Sequence, residues 1–215
     1  MTARKEILSR IRTALPGDPL DPAASHGSIP RLYNRAGTLT PEARLELFID
    51  RLLDYDTEII EIETAAEIAA AISQAAREER LVTPPDFPAE WLPTGLAIAF
   101  DHNLSTAEID DAQAVLTTCE IAVASTGTII LIHTGAQGGR ALTLLPDHHI
   151  CIVRRDQVVE NIPEAFTAIA TQSALPITTI SGPSATSDIE MTRIRGVHGP
   201  RRLTVILYGA ASPSK

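Results

Sequence analysis

A chain of 215 residues with 44% hydrophobic and only 4% aromatic residues can bury one full α/β core, built from Ile, Leu, Val and Ala. The net charge of −9 argues against a nucleic-acid or anionic-membrane surface, and the few aromatics leave no platforms for stacking bases. Lysine occurs only at positions 5 and 215, which excludes an interior Schiff-base lysine, a Walker-type phosphate loop and a lysine general base.

In chain order, Ile7, Leu8, Ile11 and Leu15 stand at helical spacing and predict an amphipathic helix over Ala3–Leu15, with Thr2 as its cap. Its four basic residues surround no apolar h-region, and no run approaches ~18 apolar residues. Neither a signal peptide nor a membrane span is therefore expected, and the reading is cytoplasmic. Pro16–Pro41 reads as a partly ordered linker. Thr40 followed by Pro41 starts a second helix, whose Leu45, Phe48, Ile49, Leu52 and Leu53 form one apolar face. Residues 1–56 are thus an expected helical extension and 57–215 an α/β domain.

From Thr57 strands and helices alternate. Strands are predicted over Thr57–Ile62, Arg80–Thr83, Gly95–Phe100, Glu120–Ala124, Thr128–His133, Ile150–Arg154, Thr178–Ser181 and Leu203–Tyr208. Helices are predicted over Ala65–Arg77, Ser105–Thr117 and Ile162–Thr171, the second with Ser105 and Glu108 at capping-box spacing. Near-continuous apolar strands alternating with helices call for an open, mostly parallel sheet covered on both faces.

The polar interruptions carry the functional reading. Ser125-Thr126-Gly127-Thr128 joins two strands, and Gly127 permits a positive φ while Thr126 and Thr128 supply hydroxyls for an anion or for backbone capping. Gly135-Ala136-Gln137-Gly138-Gly139-Arg140 is a glycine-rich loop ending in a guanidinium directly before the apolar run Ala141–Leu145, which is expected to hold the Arg140 stem partly dry. His148 and His149 are adjacent, so in a strand they face opposite ways: one toward the site and the other toward solvent, or both as plain edge residues. Ser184 and Thr186 add hydroxyls within Ser181–Asp188. Asp188 and Glu190 are spaced to act as general base and orienting carboxylate, or to pair with Arg193 or Arg195. His198-Gly199-Pro200-Arg201 sets an imidazole and a guanidinium about a rigid turn. Thr126–Thr128, Arg140, Ser184–Asp188 and His198 are expected to border one pocket, with Asp188, Glu190 and His198 in catalytic positions and Thr126, Gly127, Thr128, Arg140, Ser184, Thr186 and Arg201 binding a small carboxylate or phosphate.

Cys119 and Cys151 lie in buried-looking runs and are too few for an iron–sulfur cluster or a structural zinc. They read as free buried thiols, and no dinucleotide, flavin or metal fingerprint is present. The chain is expected to hold no metal and no cofactor of its own.

The segments Ile121–Leu131, Arg140–Leu142, Leu145–Ile150, Ser181–Glu190 and Gly196–Arg201, together with the opening Arg4-Lys5-Glu6-Ile7-Leu8, resemble the LUD domain family of the lactate utilization protein C type. The resemblance implies the fold of sugar-phosphate isomerases and CoA transferases, an open, mainly parallel sheet between helices. It also implies a non-redox place in a three-protein system oxidising L-lactate to pyruvate, whose partners carry the iron–sulfur centres. The family often has an acidic residue before Thr-Gly-Thr, where this chain has Ser125. A stand-alone sugar-phosphate isomerase or acyl-CoA transferase, with Asp188 or Glu190 as base or nucleophile, is the alternative, and a ligand-sensing module a third.

Overall fold

The structure, a computed structural model, describes residues 3–14, 29–30, 32–172, 174–187, 193–195 and 199–210. Two compact units result, Met1–Tyr33 and Asn34–Lys215. The first contains helix α1 (Ala3–Ala14), on which Ile7, Leu8 and Ile11 stay exposed. The expected cap, Thr2, lies outside the described residues.

The second unit begins before the boundary expected at residue 57, because helix α2 (Pro41–Asp54) is part of its core. Thr40 accepts a hydrogen bond from the Ala43 N–H at 3.2 Å, Pro41 fills the first turn, and Phe48 and Leu52 are fully buried. The chain then builds strand β1 (Glu58–Glu61), helix α3 (Ile68–Ala76), β2 (Leu81–Thr83), β3 (Ile98–Phe100), helix α4 (Thr106–Asp111) and β4 (Ala114–Thr118). β5 (Ile121–Val123), β6 (Thr128–Leu131), β7 (His148–Arg154), β8 (Val158–Val159), helix α5 (Ile162–Ala168), β9 (Thr178–Ile180), β10 (Ala185–Ser187), β11 (Arg193–Arg195) and β12 (Arg202–Tyr208) follow.

Six strands form a parallel sheet in the order β1-β12-β7-β4-β2-β3. Its longest strands, β7 and β12, lie side by side with His148 opposite Arg202. One face packs Leu116, Ile150, Ile152 and Ile206 against Ile68 and Ile72 of α3. The other face presents Cys151, Val153, Val205 and Leu207 to Phe48 and Leu52 of α2 and to Ala122, Ile129 and Leu131. Those last residues belong to a second sheet, β8-β5-β6-β9, in which β5 and β6, joined across the expected turn, pair antiparallel. β10 and β11 make a separate antiparallel pair. The expected open, parallel α/β architecture is present, as a sheet of six strands. The second, mixed sheet is an addition to it, built from strands of two to four residues.

One predicted element is wrong. Ser105–Thr117 is not a continuous helix. The capping box forms, with the Glu108 carboxylate accepting from the Ser105 N–H and O–H at 2.8 and 2.7 Å, but α4 ends at Asp111 and Ala112 turns extended. Ala114–Thr118 is instead a strand between β7 and β2, where Val115, Leu116 and Thr117 are completely buried. Burial in the sheet outweighs the helical tendency that the capping box starts.

The segment before α2 is held by one carboxylate. Glu160 Oε2 accepts from the Thr38 and Leu39 N–H groups at 2.5 and 2.7 Å, and a Cβ on Gly37 would stand 2.6 Å from the Glu160 Cβ. Glu160→Ala should therefore cost about 1–2 kcal/mol, the scale of charge-assisted bonds at a partly exposed site. A urea midpoint unchanged from wild type would show that this segment does not contribute to the cooperative unit.

Candidate functional site

Three polar interruptions of the sequence meet around one cleft. It has a volume of about 470 Å³ and is bordered by Arg140, Thr143, His149, Thr178, Ser181 and Ser184, with Pro200 and Leu203 completing the wall. His149 and Leu203 are the second residues of β7 and β12, so the cleft stands at the amino-terminal ends of those strands.

Arg140 reaches this cleft through a chain of oriented groups. His133, held at φ 55, hydrogen-bonds through Nδ1 to the Gly138 carbonyl at 2.9 Å and through Nε2 to the Thr178 hydroxyl at 2.6 Å. A carbonyl only accepts, so Nδ1 carries the proton and Nε2 accepts from Thr178. The Thr178 oxygen in turn accepts from Arg140 Nη1 at 2.9 Å. The loop below is fixed by buried Gln137, whose Oε1 accepts from the Ile132 N–H at 2.6 Å and whose Nε2 donates to Glu120 at 3.0 Å. Ala141–Leu145 does not shield the guanidinium as expected. It coils into turns that bury Leu142 and Thr143 while Arg140 stays exposed.

Thr126, Gly127 and Thr128 serve the cleft indirectly. The Thr126 and Thr128 hydroxyls are 2.7 Å apart, and Thr128 is 2.8 Å from the hydroxyl of Ser181, which borders the cleft. Gly127, at φ 58, closes the turn beneath Arg51 of α2. Ser125 stays away from the cleft lining, its N–H donating to the Glu160 carbonyl at 3.0 Å. On the opposite wall, the Ser184 N–H donates to the Pro200 carbonyl at 2.8 Å, tying the Ser181–Ser184 loop to the Gly199-Pro200 turn.

Arg201 is not brought to this cleft. It borders a second one of about 580 Å³ with Glu79, Asp147, His148 and Arg202, and its Nε lies 3.4 Å from Asp147. Thr186 pairs through its backbone with Ile194 in the β10–β11 ladder. Asp188, Glu190 and His198, assigned catalytic positions from the sequence, lie outside the described residues.

The two adjacent histidines do face opposite ways, but neither faces solvent. His148 lies 2.7 Å from Glu79 through Nδ1 and 2.8 Å from Thr204 through Nε2, while Arg202 bonds the other Glu79 oxygen at 2.6 Å. Burial, partly opposed by Glu79, lowers the His148 pKa below its ordinary value. His149 borders the first cleft, with Nε2 2.7 Å from the Thr117 hydroxyl. Its Nδ1 is buried with no hydrogen-bond partner among the described residues. Burial, reinforced by His148, pushes the His149 pKa down to about 3, so the ring is neutral. His149 is the residue whose position the sequence left open. Ser181 entered the sequence reading only as the first residue of Ser181–Asp188, and Thr178 was missed, since one hydroxyl at the start of a short strand carries no distinctive signal.

Among the described residues, no three His, Cys, Asp or Glu side chains are grouped to hold a metal ion, and no helix is long and apolar enough to cross a membrane. Cys119 and Cys151 are free and buried.

An open parallel sheet with a second small sheet on one face, and a hydroxyl-lined cleft between them, defines an α/β protein with a single-domain core. The chain belongs to the LUD domain family, whose sequence profile matches residues 87–208. It is 43% identical over 211 residues to lactate utilization protein C of Deinococcus radiodurans, with 96% of each chain covered. It is 27% identical over 201 residues to lactate utilization protein C of Bacillus velezensis, with 83% of each covered. The crystal structure of a DUF162 family protein from Deinococcus radiodurans superposes with a TM-score of 0.71 at 43% identity, covering 80% of this chain and 100% of that one.

Proposed function

We propose that this chain is a cytoplasmic, non-redox member of a lactate-utilization system, working beside iron–sulfur protein partners and holding a small carboxylate or phosphate at Arg140. The lactate role is supported by the names of relatives that align over nearly the whole chain. The anion is supported by one observation. Arg201 and Arg202 face carboxylates, whereas the hydrogen bond of Arg140 goes to the neutral Thr178 and no carboxylate pairs with it among the described residues. A guanidinium with no carboxylate partner among the described residues, in a cleft lined with hydroxyls, suits an anion anchor.

The test is calorimetric titration with L-lactate, pyruvate and inorganic phosphate. Arg140→Ala should weaken anion binding about tenfold, the modest end for a charge-assisted bond because the guanidinium is exposed. Arg140→Lys should restore only part of it, since an ammonium lacks the planar fork. Unchanged affinity in Arg140→Ala would remove the anchor.

A further inference from the structure

We propose that the cleft takes an anion that also carries a hydroxyl group, and that His149 Nδ1 receives that hydroxyl as a hydrogen-bond acceptor. The proposal rests on the reading of Arg140 as the anion anchor and adds the second contact that sets the ligand's class.

The argument starts from the neighbours of the ring. In the parallel register His149 lies between Val115 of β4 and Leu203 of β12, both apolar. Its one partner among the described residues is Thr117, two residues along β4 on the same face, at 2.7 Å from Nε2. A threonine hydroxyl has a single proton. With that proton directed to Cys151 Sγ, 3.8 Å away, the oxygen accepts from His149 Nε2–H at 2.7 Å, and this is the tautomer the proposal requires. The neutral ring then has no proton left for Nδ1, which keeps a bare lone pair. That atom is buried and unpartnered among the described residues, in a ring that forms part of the cleft floor.

A buried acceptor without a donor loses its hydrogen bond to water and gains nothing in return, which is why such atoms are rare in folded proteins. An apolar residue between Val115 and Leu203 would carry no such cost. Protonation does not relieve it, because burial in this apolar setting keeps the ring neutral. What complements Nδ1 is an O–H from a ligand. A carbonyl or carboxylate oxygen at the same place would set lone pair against lone pair. The cleft therefore discriminates a hydroxylated anion from its oxo or hydroxyl-free counterpart, since sites built around a ligand hydroxyl reject analogues that lack it. A 2-hydroxy acid and a sugar phosphate share this chemistry.

Two measurements on the full chain test the proposal. In 15N-labelled protein at pH 7, His149 Nδ1 should resonate as an unprotonated imidazole nitrogen. It should shift toward the hydrogen-bonded position with L-lactate or ribose 5-phosphate, but not with pyruvate or inorganic phosphate. By calorimetry, L-lactate should bind about tenfold more tightly than pyruvate, or ribose 5-phosphate about tenfold more tightly than phosphate, and the arm that shows the preference identifies the source. His149→Phe, which keeps a ring but no acceptor, should erase the preference.

A protonated Nδ1 in the free protein overturns the proposal without a variant, so the test survives if His149→Phe fails to fold. Equal binding of both members of each pair, or a preference that persists in His149→Phe, overturns it while the anion reading stands. Absence of binding by all four probes overturns both.

Discussion

Gly127→Ala should destabilise the protein by about 3 kcal/mol, lowering Tm by roughly 6–12 °C for a chain of this size. Two effects add. Gly127 sits at φ 58 and ψ 33, where an L side chain costs on the order of 1 kcal/mol. A Cβ there would also lie 2.9 Å from the Arg51 Cβ and 3.1 and 3.2 Å from its carbonyl carbon and oxygen. Those are largely backbone atoms of α2, so relief requires the helix to move, and α2 buries Phe48 and Leu52 in the core. Overpacking of this kind typically costs about 1–3 kcal/mol. Gly135→Ala is the control: φ is 49, but a Cβ there meets nothing within 4 Å, so only the conformational cost of about 1 kcal/mol applies. Equal losses in the two variants would show that α2 does not rest on the turn. The glycine of Thr-Gly-Thr is thus required by helix docking, while the threonines on either side pass hydrogen bonds to Ser181.

The elements read correctly from the sequence are those whose signal is local or self-contained. Leu203–Tyr208 and Ile150–Arg154 are continuous apolar runs, which is how a strand covered on both faces looks, and they became the centre of the parallel sheet. Thr40-Pro41 and Ser105/Glu108 marked true helix starts. The failures have a common cause. Nothing in Ala112–Thr118 stops a helix that a capping box has begun, and only its place between β2 and β7 decides for a strand. The period-two argument separated His148 from His149, yet what each ring meets comes from afar: Glu79 is 69 residues away, Thr204 56 and Thr117 32. Arg201 looked equivalent to Arg140 because both end glycine-containing loops. Asp147 opposite one and no carboxylate opposite the other, among the described residues, is a property of the fold. The site was legible as a set of loops, while its chemistry depended on contacts between them.

Lowering the pH from 7 to 5 should reduce the unfolding free energy by about 2 kcal/mol through His149. In the folded protein its pKa is about 3, against an ordinary value of 6.5, because the charged ring would be buried beside Val115 and Leu203 and repelled by His148. The unfolded chain therefore binds the extra proton throughout the interval between those values. Stability is complete above pH 6.5 and falls as the pH drops toward 3, at about 1.4 kcal/mol per unit. His148, shifted in the same direction by burial, adds to the loss, and Glu79 moderates its share by attracting the charged form. Urea midpoints of wild type and His149→Phe at pH 7 and pH 5 separate the two rings. The variant should keep the part due to His148, its loss of stability over this interval lower than that of wild type by about 2 kcal/mol. An identical dependence in both proteins would mean that His149 gains its proton in the folded state as readily as in the unfolded one. A ring that does so is solvated, and a buried, neutral imidazole would no longer describe this site.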